Sequence, residues 1–147
     1  MRTLVTFRST AFNTTKDREY FVNNPGCVGG DLAKWLTQQL CERGLHADAG
    51  AEQWFPLVAF RVDGTDHNLV IGYRPGEDDS EGDWICWIER RTGIVAVLLG
   101  LQKRGIRPAA TDAIDEALSS SPEIRNVRWH TREDFDKGRE ELGSETP

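Results

Sequence analysis

The stretch WFPLVAFRVDGTDHNLVIGY, residues 54–73, decides the fold of this chain. Its two outer parts are rich in aromatic and β-branched residues, which favour β-strands. The DGTD segment between them, residues 63–66, contains an Asp-Gly pair, which is typical of a tight hairpin turn. The stretch therefore predicts two antiparallel strands, about Trp54–Val62 and His67–Tyr73. A third strand, about Trp84–Glu89, extends them into an antiparallel meander.

Three helices are predicted, one before this meander in the sequence and two after it. Apolar residues from Leu32 to Leu40 recur at helical spacing, with Asp31 as N-cap and Gly44 as the stop. The apolar run IVAVLL, residues 94–99, predicts a second helix that is buried. A third helix is expected to begin at Pro108, because proline suits the first helical turn.

Two terminal strands, about Thr3–Ser9 and Ile124–Trp129, complete the predicted architecture. The fold class is α+β, with a mostly antiparallel sheet of about five strands and two or three helices packed on one face as a two-layer sandwich. Residues 1–130 are predicted to form a single domain. Residues 131–147 carry six acidic and three basic side chains, and we expect a frayed helix or flexible acidic tail there.

Charge and composition argue against several classes of function. The 147 residues include 18 Lys and Arg against 24 Asp and Glu, and the net charge of −6 disfavours nucleic-acid binding. The longest apolar run is far shorter than the roughly 20 residues of a membrane-spanning helix. The N-terminal segment lacks the apolar stretch of an export signal. We therefore expect a cytoplasmic protein without membrane contact.

The motifs predict neither a cofactor nor a metal site. The glycines around Cys27 have no GxGxxG spacing and no Walker lysine, so nucleotide binding is not expected. The three histidines lie far apart in sequence, which does not favour a zinc site. The three cysteines have no CxxC spacing, and no disulfide framework is predicted.

Cys27 and His67 form the candidate catalytic pair. Cys27 lies in the segment Asn23–Asp31, just before the first helix, where backbone amides would stabilise a thiolate. His67 begins a strand and could act as its base. The alternative interpretation is structural: a semi-buried cysteine in a glycine-rich turn, and an ordinary strand histidine.

The order of Cys27, the helix with Trp35 and the strand Asp66–Tyr73 resembles the layout of papain-like and NlpC-type thiol peptidases. The resemblance implies that Cys27 is the nucleophile and His67 the base. The chain departs from those families because Cys27 lacks their Cys-Ser or Cys-Trp pairing.

Other segments are similar to a group of small bacterial proteins with no known activity. They are Phe12–Thr15, Asn24–Cys27 with Gly30–Leu36, and Ile124–His130. The similarity implies a bacterial cytoplasmic protein of similar fold, and it implies no activity, cofactor or site residue.

An acidic loop and two tryptophans form the candidate binding surface. Trp84 and Trp87 are three residues apart, so on a strand they point to opposite faces and one of them is available for contact. The loop would attract a basic partner, and a merely solvated loop is the alternative. The candidate residues are Glu77, Asp78, Asp79, Glu81, Asp83, Trp84 and Trp87.

The leading hypothesis is a small acidic binding protein, not an enzyme, that recognises a protein partner as immunity or inhibitor proteins do. The alternative is a thiol-dependent hydrolase or transferase that uses Cys27 and His67.

A set of cations brackets the apolar run and forms either a local basic patch or solubilising flanks. These cations are Arg90, Arg91, Lys103, Arg104 and Arg107.

Overall fold

The computed structural model describes residues 1–14, 28–52, 55–78, 80–101 and 104–147. These residues form one antiparallel sheet whose strands lie in the order β2-β3-β4-β5-β1-β6. The α+β class with an antiparallel sheet is confirmed. The strands are β1 Leu4–Arg8, β2 His46–Glu52, β3 Phe55–Val62, β4 Thr65–Arg74, β5 Asp83–Arg90 and β6 Arg125–His130. The helices are α1 Gly30–Glu42, α2 Ile94–Leu98, α3 Pro108–Ser119 and α4 Arg132–Asp136.

The hairpin at the centre of the sheet is confirmed. Asp63 and Gly64 have φ values of 48° and 70°, which is the left-handed geometry of the tight turns that match the twist of paired strands. Val62 lies opposite Thr65, and the register continues to Leu57 opposite Val70. The turn therefore sets which side chains of β3 and β4 share a face.

The strand β2 is the element that sequence reasoning missed. Its residues HADAGAE include neither an aromatic nor a β-branched side chain, so strand propensity gives no signal. The strand pairs with β3 from His46 opposite Arg61 to Glu52 opposite Phe55. Its conformation is therefore imposed by the partner strand and by the contacts that α1 makes with it.

The main core lies between the sheet and two helices. Leu32, Leu36 and Leu40 of α1 and Ile114 and Leu118 of α3 are buried in it. The strand residues that join them alternate along each strand and therefore share one face, which we call the core face. They include Val5, Phe7, Val58, Phe60, Leu69, Ile71, Trp84, Cys86, Ile88 and Trp129.

The start of α1 differs from the prediction, because Asp31 is not its N-cap. Gly29 occupies that position with a φ of 114° and no side-chain cap, and a Cβ on Gly29 would lie 2.9 Å from Ile71. Asp31 instead accepts a hydrogen bond from the backbone N of Asn13 at 2.7 Å. It therefore fastens the loop after β1 to the helix. The predicted stop is confirmed, since Gly44 follows the helix with a φ of 83°.

The opposite side of the sheet, which we call the outer face, carries a row of side chains across five strands. Leu57, Val70, Trp87, Leu4 and His130 are successive cross-strand neighbours. Leu4 and Leu57 are buried, although they lie away from the core face. The outer face is therefore a second, smaller apolar layer.

The C-terminal segment covers one end of this row. In α4, Arg132 stacks 5.2 Å above the ring of Trp87, and Phe135 lies 5.6 Å from the ring of His130. Ser144 exchanges two backbone hydrogen bonds with Trp129 at 2.6 and 2.8 Å. Residues 131–147, where a frayed helix or a flexible tail is expected from the sequence, thus pack on the sheet.

Candidate functional site

His67 is held by backbone groups on both sides of its ring. The side chain is completely buried and stacks on Phe60 at 5.5 Å. Its Nδ1 donates to the carbonyl of Thr65 at 3.1 Å, and its Nε2 accepts from the backbone N of Arg107 at 3.2 Å. Burial lowers the pKa of His67 below the ordinary histidine value. The neutral ring therefore ties β4 to the residue that precedes α3.

Cys27 lies outside the described residues, so the Cys27–His67 pair stays a prediction. Both ring nitrogens of His67 already have backbone partners. A role as general base would require one of these two hydrogen bonds to break, because the base must accept the proton of the thiol. The described cysteines are Cys41, which is exposed, and Cys86, which is buried.

Two carboxylates of the acidic loop are bound by arginines of the same chain. Glu81 accepts two hydrogen bonds from Arg125 at 2.5 and 2.7 Å. Asp83 accepts from Arg8 and from Arg74, both at 2.9 Å. Burial alone would raise the pKa of Asp83, but the two arginine hydrogen bonds outweigh it and lower the pKa. These two carboxylates are therefore largely neutralised within the molecule.

The other members of the acidic loop are placed differently. Glu77 and Asp78 are exposed, and Asp79 lies outside the described residues. No ion pair between described residues includes Glu77 or Asp78. These two side chains are thus the described part of the loop that presents unpaired negative charge to solvent.

Trp84 and Trp87 point to opposite faces of the sheet, as their spacing predicts. Trp84 is fully buried on the core face, 4.9 Å from the ring of Tyr73. Trp87 is half-buried on the outer face. Of the two tryptophans, only Trp87 is near a surface that another molecule could contact.

Phe55 completes an aromatic cluster with Trp87 on the outer face. The two rings meet edge to face with centroids 5.7 Å apart, and Phe55 is 45% exposed. Trp87 donates from Nε1 to Glu89 at 3.0 Å and lies beneath Arg132. Gly72 adjoins this ring, since a Cβ there would lie 3.6 Å from Trp87. Sequence reasoning missed Phe55, and its place two residues before Leu57 on the same strand face is the signal that could have found it.

The apolar segment, which we define as residues 94–99, is exposed, and the prediction of a buried helix is wrong. Ile94, Val95, Val97, Leu98 and Leu99 are 46–82% exposed. The segment lies in the connection between β5 and α3, while α1 and α3 already fill the core face. The hydrophobicity of the run could not predict its exposure, because a helix is buried only where the fold packs it against the sheet.

The two ends of this connection are anchored to the fold. The backbone N of Arg91 donates to the carbonyl of Asp66 at 2.9 Å, and Ile106 is buried. Arg107 donates from its backbone N to His67 and from Nε to Thr65, both at 3.2 Å. The apolar segment therefore projects from a fixed base.

Comparison with known proteins places the chain in no family: no family model, curated protein or solved structure matches it. Among the described residues, no three His, Cys, Asp or Glu side chains come together as a metal site. No helix in the described ranges has the length and apolar content needed to cross a membrane. The candidate sites are thus two surfaces: the aromatic cluster of the outer face and the apolar segment.

Proposed function

We propose that this protein is a recognition module of the bacterial cytoplasm that binds a protein partner in the manner of an immunity or inhibitor protein. The contact surface is the part of the outer face around Phe55 and Trp87. The observation that carries the proposal is the half-exposed ring of Phe55, which rests on Trp87 on a sheet face away from α1 and α3.

The energetics of association favour this surface. Aromatic side chains bury a large area at a small entropic cost, and tryptophan is enriched among the residues that dominate binding energy. Trp87 is also held in place by Glu89 and Arg132. A partner would therefore meet a rigid aromatic surface, which reduces the ordering cost of binding.

Charge supports a partner with a basic rim. The net charge is −6, and Glu77 and Asp78 remain exposed beside the paired carboxylates Glu81 and Asp83. Such a surface accelerates the approach of a basic protein more than it strengthens the complex. We expect association to slow as the salt concentration rises.

A photocrosslinking experiment tests the proposal. We would replace Phe55 with p-benzoyl-phenylalanine and, as a matched control, Leu142, which is also exposed but lies in the C-terminal 3-10 turn Glu140–Leu142. In bacterial cells, the probe at position 55 should give one discrete crosslinked protein, and the probe at position 142 should not.

The purified pair then gives the quantitative test. We expect Phe55→Ser to weaken the complex by about tenfold or more, because an aromatic anchor is lost, and Leu142→Ser to leave Kd unchanged. A crosslink that forms equally from both positions, or a Kd that Phe55→Ser does not alter, contradicts the proposed surface.

A further inference from the structure

The apolar segment exposes several large hydrophobic side chains next to one another. Ile94, Val95, Leu98 and Leu99 are each at least 70% exposed. Contiguous exposed apolar side chains of this kind mark a contact with a protein or a membrane. The segment is separate in sequence from the Phe55–Trp87 cluster and needs its own explanation.

The exposed side chains of α2 share one side of the helix. At 100° per residue, Ile94, Val95, Val97 and Leu98 spread over about 160° of its circumference. An interfacial helix lays an apolar face of this kind into the boundary between headgroups and acyl chains, with cations beside it.

The charged side chains within the connection that carries the segment have a single sign. Residues 90–107 contain five of the 18 cationic side chains of the chain and none of its 24 acidic ones. Arg91 and Arg104 are exposed, and no ion pair between described residues involves either of them. A second copy of the chain would bring the same cations face to face in a two-fold contact, so repulsion disfavours self-association through this segment.

We propose that the apolar segment docks on an anionic lipid surface. The apolar side chains of α2 enter the boundary between headgroups and acyl chains, and Arg91 and Arg104 contact the lipid phosphates at the base. Docking of this kind lies along the interface and does not cross the bilayer. It differs from the expectation of no membrane contact, which rested on the length of the apolar run. It uses another surface than the proposed protein recognition and does not depend on it.

Vesicle flotation with the full chain tests the apolar contribution. The probes are large unilamellar vesicles of phosphatidylcholine alone and of phosphatidylcholine mixed with phosphatidylglycerol. We expect binding to the anionic vesicles and at least tenfold weaker binding to the neutral ones. Leu98→Asp should reduce anionic binding at least tenfold, because it removes an inserted side chain and adds a repelled charge. The matched variant Leu142→Asp, at an exposed leucine elsewhere, should bind like the unaltered protein.

The arginines are tested on the same vesicles. Arg91→Gln and Arg104→Gln should each weaken partitioning about fivefold, since one cation near an anionic surface contributes about that factor. Arg128→Gln serves as the control, because Arg128 lies on β6 and faces Glu145 at 4.0 Å. Circular dichroism of each variant establishes that the fold is intact.

Several outcomes would overturn the proposal. One is the lack of binding to anionic vesicles at low salt. Another is vesicle binding that Leu98→Asp leaves unchanged. A third is a dimer in sedimentation experiments without lipid that Leu98→Asp dissociates, which would make the segment a contact between copies. A protein complex that depends on Leu98 in the absence of vesicle binding would assign the segment to a protein partner instead.

Discussion

Cys41 and Cys86 occupy opposite environments. Cys86 is 1% exposed in the core, and burial raises the pKa of its thiol, whereas Cys41 is exposed on α1. We expect iodoacetamide at neutral pH to modify Cys41 in the folded protein and Cys86 only after unfolding. The thiolate is the form that reacts, and burial keeps Cys86 in the thiol form. Timed labelling followed by peptide mass spectrometry measures both rates. Equal rates in the folded protein would contradict the burial of Cys86.

The same labelling series tests the thiol-hydrolase alternative through Cys27. If the protein is a binding module, Cys27 should react no faster at neutral pH than a cysteine in an unstructured peptide. Much faster labelling of Cys27, slowed by His67→Gln, would favour an activated thiol and the hydrolase. Cys41 in the same sample provides the internal reference.

His67 makes stability depend on pH. Burial holds the pKa of His67 below its ordinary value of 6.5, so the unfolded chain binds a proton that the folded protein does not. The free energy of unfolding should therefore be constant well above pH 6.5 and fall as the pH decreases below it, by at most about 1.4 kcal/mol per pH unit for one histidine. Burial lowers the pKa of His130 as well, which adds to the loss.

Urea unfolding at pH 7.5 and pH 5.5 measures this dependence, in a range where carboxylates with ordinary or lowered pKa values remain charged. The variant His67→Gln should be less stable at pH 7.5, because it loses a buried ring, yet should show a smaller difference between the two pH values. An unchanged pH dependence in the variant would exclude His67 as its source.

At the scale of elements, α2 and α1 contain leucines in contrasting positions. Leu98 is 81% exposed, whereas Leu36 is fully buried. We expect Leu98→Ser to change the free energy of unfolding by less than about 0.5 kcal/mol, since no packing is lost. Leu36→Ala should cost about 2–5 kcal/mol, because it opens a cavity in the core.

Urea unfolding of the two variants provides the comparison, with the unaltered protein as reference. A destabilisation above about 2 kcal/mol by Leu98→Ser would mean that α2 packs on the fold. The pair of leucines also shows that hydrophobic content does not determine burial: α2 is wholly apolar and exposed, whereas α1 carries polar side chains as well and packs on the sheet.

At the scale of the whole molecule, the C-terminal segment connects the edge strand β6 with the inner strands β4 and β5. Arg74 on β4 binds Glu140 at 2.6 Å, and this hydrogen bond lowers the pKa of Glu140. The segment also covers Trp87 and His130 on the outer face. It thus contributes to the fold from outside the predicted domain of residues 1–130.

Removal of residues 131–147 should lower the free energy of unfolding by at least about 2 kcal/mol, because the apolar row loses its cover and Trp129 loses two backbone hydrogen bonds. Urea unfolding of the chain ending at His130 measures the loss. Glu140→Gln in the full chain is the control that removes the charge of one ion pair, and we expect it to cost no more than about 1 kcal/mol. Equal stability of the shortened and full chains would show that the segment contributes nothing to folding.

The features of the candidate surfaces differ in whether they can be predicted from the sequence. The opposite orientation of Trp84 and Trp87 follows from the two-residue repeat of a strand and is confirmed. The pairing of Glu81 with Arg125 could not be predicted, because the two residues are 44 positions apart and meet only when the sheet forms. The exposure of Phe55 likewise depends on where α1 and α3 pack.

The sequence by itself determined the hairpin at Asp63-Gly64 and the helix from Leu32 to Leu40. Both follow from interactions between residues a few positions apart: the positive φ that an Asp-Gly turn accepts, and apolar side chains at helical spacing. Only the tertiary structure decided that residues 46–52 form an edge strand, that residues 94–99 face solvent, and that Glu81 and Asp83 of the acidic loop bind arginines. These features depend on partners distant in sequence, since a side chain is buried or paired only by what the fold brings to it.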